Sequence, residues 1–140
     1  MVDRWAIILL ILFFVTAISY AGNGMEPPGH KAKILLDESW NGKKIELKVE
    51  DEIQIDLQGA GGTGYAWHFD ELDSDFFELI GKERKVQEKS GDLAGSPIQY
   101  LWLIKTIKAG SSVIKMSYYR EWEGRDKAFQ RFVVEIDIIP

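Results

Sequence analysis

The stretch "GAGGTGYAWHF", residues 59–69, decides between two classes of fold. Its glycines at positions 59, 61 and 64 match GxGxxG, the pattern with which dinucleotide-binding folds hold a pyrophosphate at the start of a helix. That arrangement needs a helix directly after the last glycine. Here the last glycine is followed by Tyr65, Trp67 and Phe69 at alternate positions, which is typical of a β-strand. We therefore predict a loop between two strands and no nucleotide site.

The same period of two continues through most of the chain. The segment "KKIELKVEDEIQIDLQ" (43–58) has apolar residues at alternate positions on either side of a predicted turn at Glu50–Asp51. Other strand-like segments are 33–38, 76–89 (an irregular or bulged edge strand), 98–107, 111–119 and 127–139, the last with Phe129 and Phe132 in its alternating pattern. No convincing amphipathic helix is present. The sequence predicts an all-β fold, an immunoglobulin-like antiparallel β-sandwich of seven to eight strands.

The N-terminus has the layout of a targeting segment. Asp3 and Arg4 precede an apolar run at 5–22, in which Ser19 and Ala21 are small residues placed for cleavage after position 21. An uncleaved anchor is the alternative, because the run approaches the roughly 20 residues that span a bilayer. We expect a signal peptide or anchor at 1–21, a Gly/Pro-rich flexible tether at 22–32 and one domain at 33–140. The domain is then secreted or otherwise extracytoplasmic, with membrane contact only through the anchor.

Composition excludes several classes of function. The 140-residue chain has a formal net charge of -5 and no cysteine. A mildly acidic domain without a basic stripe is a poor ligand for nucleic acid, whose phosphates require clustered Lys and Arg. The lack of cysteine rules out disulfides, a thiolate nucleophile and a Cys-based zinc site. Stability must come from an ordinary hydrophobic core, and we expect a monomer.

Three segments resemble unusual loops: 59–64, 90–97 and 120–127. Two strands separate each from the next, and in an up-and-down succession of strands such loops return to the same end of the sheet. All three are therefore predicted to cluster at one pole. Binding residues often lie on loops that a rigid scaffold positions.

These loops resemble those of the chagasin-type inhibitors of papain-like cysteine proteases. The family has a first loop close to NPTTGY followed by x-W, a glycine-rich second loop before an aromatic strand, and a third loop beginning RPW. Here "AGGTGYAW" (60–67), "GDLAGSPIQYLW" (91–102) and "YYREWEG" (118–124) stand in the same order. The resemblance implies reversible, non-covalent inhibition in which the three loops occlude the protease active-site cleft. By matched position, the implied protease-binding residues are Gly62, Thr63, Gly64, Tyr65, Gly91, Asp92, Gly95, Arg120 and Trp122.

The first and third loops depart from the family pattern. Ala60 and Gly61 replace Asn-Pro, Gly62 replaces the first Thr, and Glu121 replaces the Pro of RPW. Without the stiffening Pro, the first loop is expected to be more flexible and inhibition weaker, because ordering a loop opposes binding. Restoring Thr at Gly62 is expected to tighten binding.

Each feature also has a structural interpretation. The first loop could be a turn that needs positive φ, the Gly91–Gly95 segment could be a mobile connection, and Trp122 could fold back over the sandwich with Arg120 stacked on it. Trp67 is expected in the core, and Tyr65 fits either role. Alternative functions for the same pole are a secreted carbohydrate- or peptide-binding module and a structural envelope domain.

An enzyme is hard to assemble from this sequence. His30 lies in the tether and His68 on a strand face opposite Tyr65, and neither has a nearby nucleophile for a triad. The acidic run Asp70–Asp75 lacks the spacing of an EF-hand loop and indicates a solvated turn. We expect no catalytic residue, no metal and no cofactor.

Overall fold

The computed structural model describes residues 31–87 and 95–140, and these form two four-stranded sheets packed face to face. Numbered in chain order, the strands are β1 (Lys33–Leu36), β2 (Lys43–Lys48), β3 (Glu52–Ala60), β4 (Ala66–Glu71), β5 (Phe77–Val86), β6 (Pro97–Thr106), β7 (Gly110–Tyr119) and β8 (Gln130–Ile139). One sheet has the order β1-β3-β6-β5 and the other β2-β8-β7-β4. The predicted immunoglobulin-like β-sandwich of seven to eight strands is confirmed, with eight strands present.

The core lies between the sheets and follows the alternation in the sequence. Even-numbered residues of β6, from Ile98 to Ile104, point inward and are almost fully buried, as are the even-numbered residues of β8 from Phe132 to Ile138. Trp67 of β4 is buried among them, as predicted. Because side chains alternate across a strand, one inward face per strand gives the two sheets a common apolar interior.

Two of the strand pairings at the sheet edges are parallel. β1 runs parallel to β3 and β2 runs parallel to β8, whereas the remaining pairs are antiparallel. We predicted antiparallel strands, and these two edge pairs are the exceptions, because alternation reveals which face of a strand is buried but not which neighbour it pairs with. β5 is an edge strand whose register shifts between Leu79 and Gly81, as predicted.

The predicted turn at Glu50–Asp51 is present, with Glu50 at a φ of 77°. The alternation assigned to Phe129 is wrong: this residue precedes β8, and 69% of its surface is exposed. Two short 3₁₀ helices, Glu38–Trp40 and Arg125–Lys127, complete the described elements. Across 31–87 and 95–140, no helix has the length and apolar character to cross a membrane. The predicted leader and tether lie mostly outside the described residues.

Candidate functional site

The ends of β3, β5 and β7 meet at one pole of the sandwich, and the connections that follow them cluster there. We call these the first loop (61–65), the second loop (87–96) and the third loop (120–129). The first two are joined by backbone: the Gly61 N–H donates to the Ser96 carbonyl over 2.8 Å, and the Gly95 N–H donates to the Gly61 carbonyl over 3.0 Å. The predicted clustering of the loops is thus confirmed for their described residues.

Buried aromatic side chains fix the base of the first loop. The Tyr118 hydroxyl accepts a hydrogen bond from the Ala60 N–H at 2.9 Å, and Trp67 Nε1 donates to the Gln58 carbonyl at 2.8 Å. Gly59 is required by close packing, since a Cβ there would lie 2.7 Å from the Tyr100 ring. These contacts fix the position of the first loop relative to the core.

The first loop is a tight turn with its own hydrogen bonds. Gly62 and Gly64 have φ values of 75° and 78°, in the left-handed region that favours glycine. The Thr63 hydroxyl donates to the Ala60 carbonyl over 2.8 Å, so it bonds the turn to the end of β3. The positive φ at Gly62 also reverses the expectation that Thr would improve this position, because a β-branched residue is strained there.

Arg120 connects the first and third loops. Its Nε donates to the Thr63 carbonyl at 2.8 Å, and its guanidinium lies 4.4 Å from the centre of the Tyr65 ring. Nη1 pairs with Glu123 at 3.2 Å, within the third loop. A planar guanidinium can donate along its edges while it stacks on an aromatic face, and both modes are used here. Arg120 therefore orders two loops at once.

Trp122 projects from the third loop with 72% of its surface exposed. Its ring nevertheless touches the first loop: a Cβ on Gly64 would lie only 2.1 Å from Trp122 Cη2. The Arg120 guanidinium lies 5.9 Å from the Trp122 ring. The structural interpretation of Trp122 is therefore right in part. The Arg120 guanidinium does lie near the ring, but the residue is not folded away from solvent.

The second loop is described only at its ends. Gly91 and Asp92, both predicted to bind the protease, lie outside the described residues. Gly95 is exposed, with a φ of 99° and open space where a Cβ would lie. The structure thus brings Gly62, Thr63, Gly64 and Tyr65 together with Gly95, Arg120 and Trp122, and their role in binding remains a prediction.

Phe129 is a residue of this pole that the sequence analysis missed. Its ring centre lies 5.9 Å from that of Tyr65. Its position in the alternating pattern could have revealed it. The buried residues of β8 are all even-numbered, and position 129 is odd. An apolar residue out of phase with its strand is expected to face away from the core.

Two titratable side chains of β4, His68 and Asp70, contact residues of the neighbouring loop and strand. His68 Nδ1 lies 3.9 Å from Glu121 Oε1, and the Asp70 carboxylate accepts a 2.7 Å hydrogen bond from Ser117. Ser117 is fully buried, so its hydroxyl is closed to a substrate. In the acidic run, Asp73 accepts from the Asp75 N–H and forms a turn. Within the described part of the chain, no three His, Asp or Glu side chains are placed to hold a metal ion.

The sequence is similar to known proteins of one family. Residues 46–136 match the family model described as chagasin family peptidase inhibitor I42. The chain is 30% identical to amoebiasin-2 of Entamoeba histolytica over 89 residues (64% of this chain and 72% of that protein) and 25% identical to chagasin of Trypanosoma cruzi over 96 residues (67% and 87%).

Solved structures agree with the fold. The crystal structure of the cysteine protease inhibitor EhICP2 from Entamoeba histolytica superimposes with a TM-score of 0.71 and 27% identity, covering 79% of this chain and 99% of that one. The solution structure of amebosin gives a TM-score of 0.62 at 21% identity, covering 77% and 98%, and supports the fold alone. The family match spans β3 to β8 almost completely and includes the first and third loops with their Arg120–Thr63 connection. The chain therefore belongs to the chagasin family of peptidase inhibitors, and it is an inhibitor rather than an enzyme.

Proposed function

We propose that this protein inhibits papain-like cysteine proteases by placing its three loops across the active-site cleft. The family supplies the class of activity, and the relative EhICP2 is a cysteine protease inhibitor. The observation that carries the mechanism is the first loop joined to the third by Arg120, with Trp122 lying against Gly64 while 72% of that residue is exposed. An exposed Trp on a small domain indicates a partner surface.

The first loop is the part suited to a narrow cleft. Gly62 and Gly64 are exposed and carry no side chain, so backbone can approach the floor of the cleft closely. Thr63 lies between them with its hydroxyl and carbonyl already bonded inside the inhibitor. The loop is thereby ordered before binding, which lowers the entropy that association must overcome. This internal order offsets part of the flexibility expected from the missing proline.

The third loop is suited to the rim of the cleft, and the described end of the second loop adjoins the first. Trp122 is the residue expected to contribute most, because truncation of a well-packed interface Trp commonly costs about 2 kcal/mol or more. Inhibition is expected to be reversible, since no side chain in the sequence of the three loops is an electrophile that could trap the catalytic cysteine of the protease. We expect an interface of roughly 1,600 Å² in total, the usual size for protease inhibitors.

We also propose that the domain works outside the cytoplasm, a proposal supported by the apolar N-terminal run that follows Asp3 and Arg4. Mass determination of the protein isolated from its source would check this. A mature N-terminus near Gly22 is the expected result, and an intact N-terminus in a cytoplasmic fraction would contradict it.

Steady-state kinetics test the inhibitory function. The chain from residue 22 contains all eight strands and the whole described core, and it avoids the apolar run. Titrated into papain, it is expected to inhibit at or below micromolar concentration, with activity recovered on dilution. Trypsin, which is a serine protease, is the control and is expected to be unaffected. An unaffected papain would refute the proposal.

A further inference from the structure

Phe129 is a large apolar residue held in an exposed position at the inhibitory pole. Its backbone N–H donates to the Tyr118 carbonyl at 2.9 Å, directly before β8 begins. This bond fixes the point from which the side chain leaves the backbone. The ring is tilted by 58° against Tyr65, yet 69% of the residue remains exposed.

Phe129 is linked to Trp122, the other exposed aromatic residue of the third loop, through Tyr65 and Arg120. Tyr65 is stacked on the buried Tyr118 at 5.3 Å, and it also carries the Arg120 guanidinium at 4.4 Å. Arg120 in turn approaches the Trp122 ring. We call Trp122, Arg120, Tyr65 and Phe129 the aromatic ridge. Its two ends, Trp122 and Phe129, are the most exposed large apolar residues among those described.

Core packing does not account for the exposed area of Phe129. Tyr65 covers only part of the ring, and the inward positions of β8 are already filled by Phe132 and Val134. Transfer of apolar surface out of water is favourable, so leaving it exposed is unfavourable. A Phe left mostly in water, beside a second aromatic residue on a rigid support, has the properties of an interface anchor.

We propose that Phe129 is an additional protease contact, outside the three motif segments, which packs against apolar side chains on the protease surface beside the cleft. This inference rests on the proposed inhibitory function and defines the partner more closely. A susceptible protease offers apolar surface at two places on its rim, one for Trp122 and one for Phe129. A protease with charged side chains at the second place is bound less tightly.

Inhibition constants for papain test this contact. Phe129→Ala is expected to raise the constant about tenfold, which corresponds to about 1.4 kcal/mol, and Phe129→Glu is expected to raise it further. Leu35→Ala is the matched control, because Leu35 is 53% exposed on β1, away from the loops. It is expected to leave the constant within about twofold, as surface substitutions usually do. Thermal unfolding confirms that each variant is folded.

A double-mutant cycle distinguishes two roles for Phe129: direct contact with the protease, and support of the Tyr65 side chain within the inhibitor. If Phe129 touches the protease, Phe129→Ala still weakens inhibition in a Tyr65→Ala background. A loss confined to the protein with Tyr65 would overturn the contact. An unchanged inhibition constant for Phe129→Ala, together with weaker inhibition by Trp122→Ala, would also overturn the contact. In that case the proposed function would stand. Failure of the unaltered protein to inhibit papain would refute both proposals together.

Discussion

Arg120 donates a 2.8 Å hydrogen bond from Nε to the backbone carbonyl of Thr63, so a side chain of the third loop holds the main chain of the first. The same guanidinium stacks on Tyr65 and pairs with Glu123. A single residue thus sets the position of the segment proposed to enter the cleft relative to the segment proposed to grip its rim. Pre-ordering of both loops is the physical basis of the proposed affinity.

Replacement of Arg120 by Lys is expected to weaken inhibition about tenfold or more. An ammonium group keeps the charge but lacks the planar fork that stacks on Tyr65 while bonding to Thr63. Glu123→Gln is the matched control: it removes the charge of the half-buried partner of Arg120 and keeps a hydrogen-bond acceptor. Inhibition constants for papain measure both. Equal constants for Arg120→Lys and the unaltered protein would show that the connection is unimportant for binding.

Gly64→Ala is expected to weaken inhibition by moving Trp122. The added Cβ would lie 2.1 Å from the Trp122 ring, which must shift away from the first loop. Gly42→Ala is a close control, since Gly42 has a similar φ of 77° but open space around it. Both variants are expected to lose about 1–2 kcal/mol of unfolding free energy from backbone strain. Only Gly64→Ala should raise the inhibition constant, and a similar rise for both would contradict the packing argument.

Gly62→Thr is expected to weaken inhibition, although relatives of this type have Thr at the matching position. With φ at 75°, a β-branched side chain strains the turn, whereas Asn tolerates this region. Gly62→Asn should therefore retain more inhibition and stability than Gly62→Thr. Denaturant unfolding and papain inhibition together measure the effect. Tighter binding by Gly62→Thr would show that the first loop adopts another backbone conformation in the complex.

The ion pair of Asp137 with Lys44 provides a stability test away from the site. Hydrogen bonds from Lys44 Nζ and Ser111 hold the pKa of Asp137 below its ordinary value. A lowered carboxyl pKa stabilises the folded state above the unfolded pKa, about 3.9, and this contribution is lost as the pH falls through the folded value. Asp137→Asn is expected to be less stable than the unaltered protein at pH 7, with a difference that shrinks below about pH 3.9. A pH-independent difference would exclude the ion pair as its cause.

The sequence predicted most of the fold because alternation reports directly which face of each strand is buried. The eight strands, the turn at Glu50 and the irregular edge strand β5 all follow from it. Pairing partners leave no such local trace, so the parallel neighbours of β1 and β2 emerged only from the structure.

The site was predictable in position but not in its internal contacts. Loop spacing placed the three segments at one pole, and the family resemblance singled out Arg120 and Trp122. Contacts between residues distant in sequence, such as Trp122 over Gly64, depend on side-chain packing that periodicity does not report. Phe129 was missed because its aromatic character was assigned to the strand pattern, although its parity was wrong for the core.

Binding to papain with a free and a blocked cleft tests the central claim most directly. Papain is labelled beforehand at its catalytic cysteine with a peptide-like covalent inhibitor that fills the cleft, and its affinity for the chain from residue 22 is compared with that of unlabelled papain. Loops that occupy the cleft predict tight binding to the free enzyme and at least a hundredfold loss for the blocked one. Equal binding to both forms would contradict occlusion of the cleft by the loops.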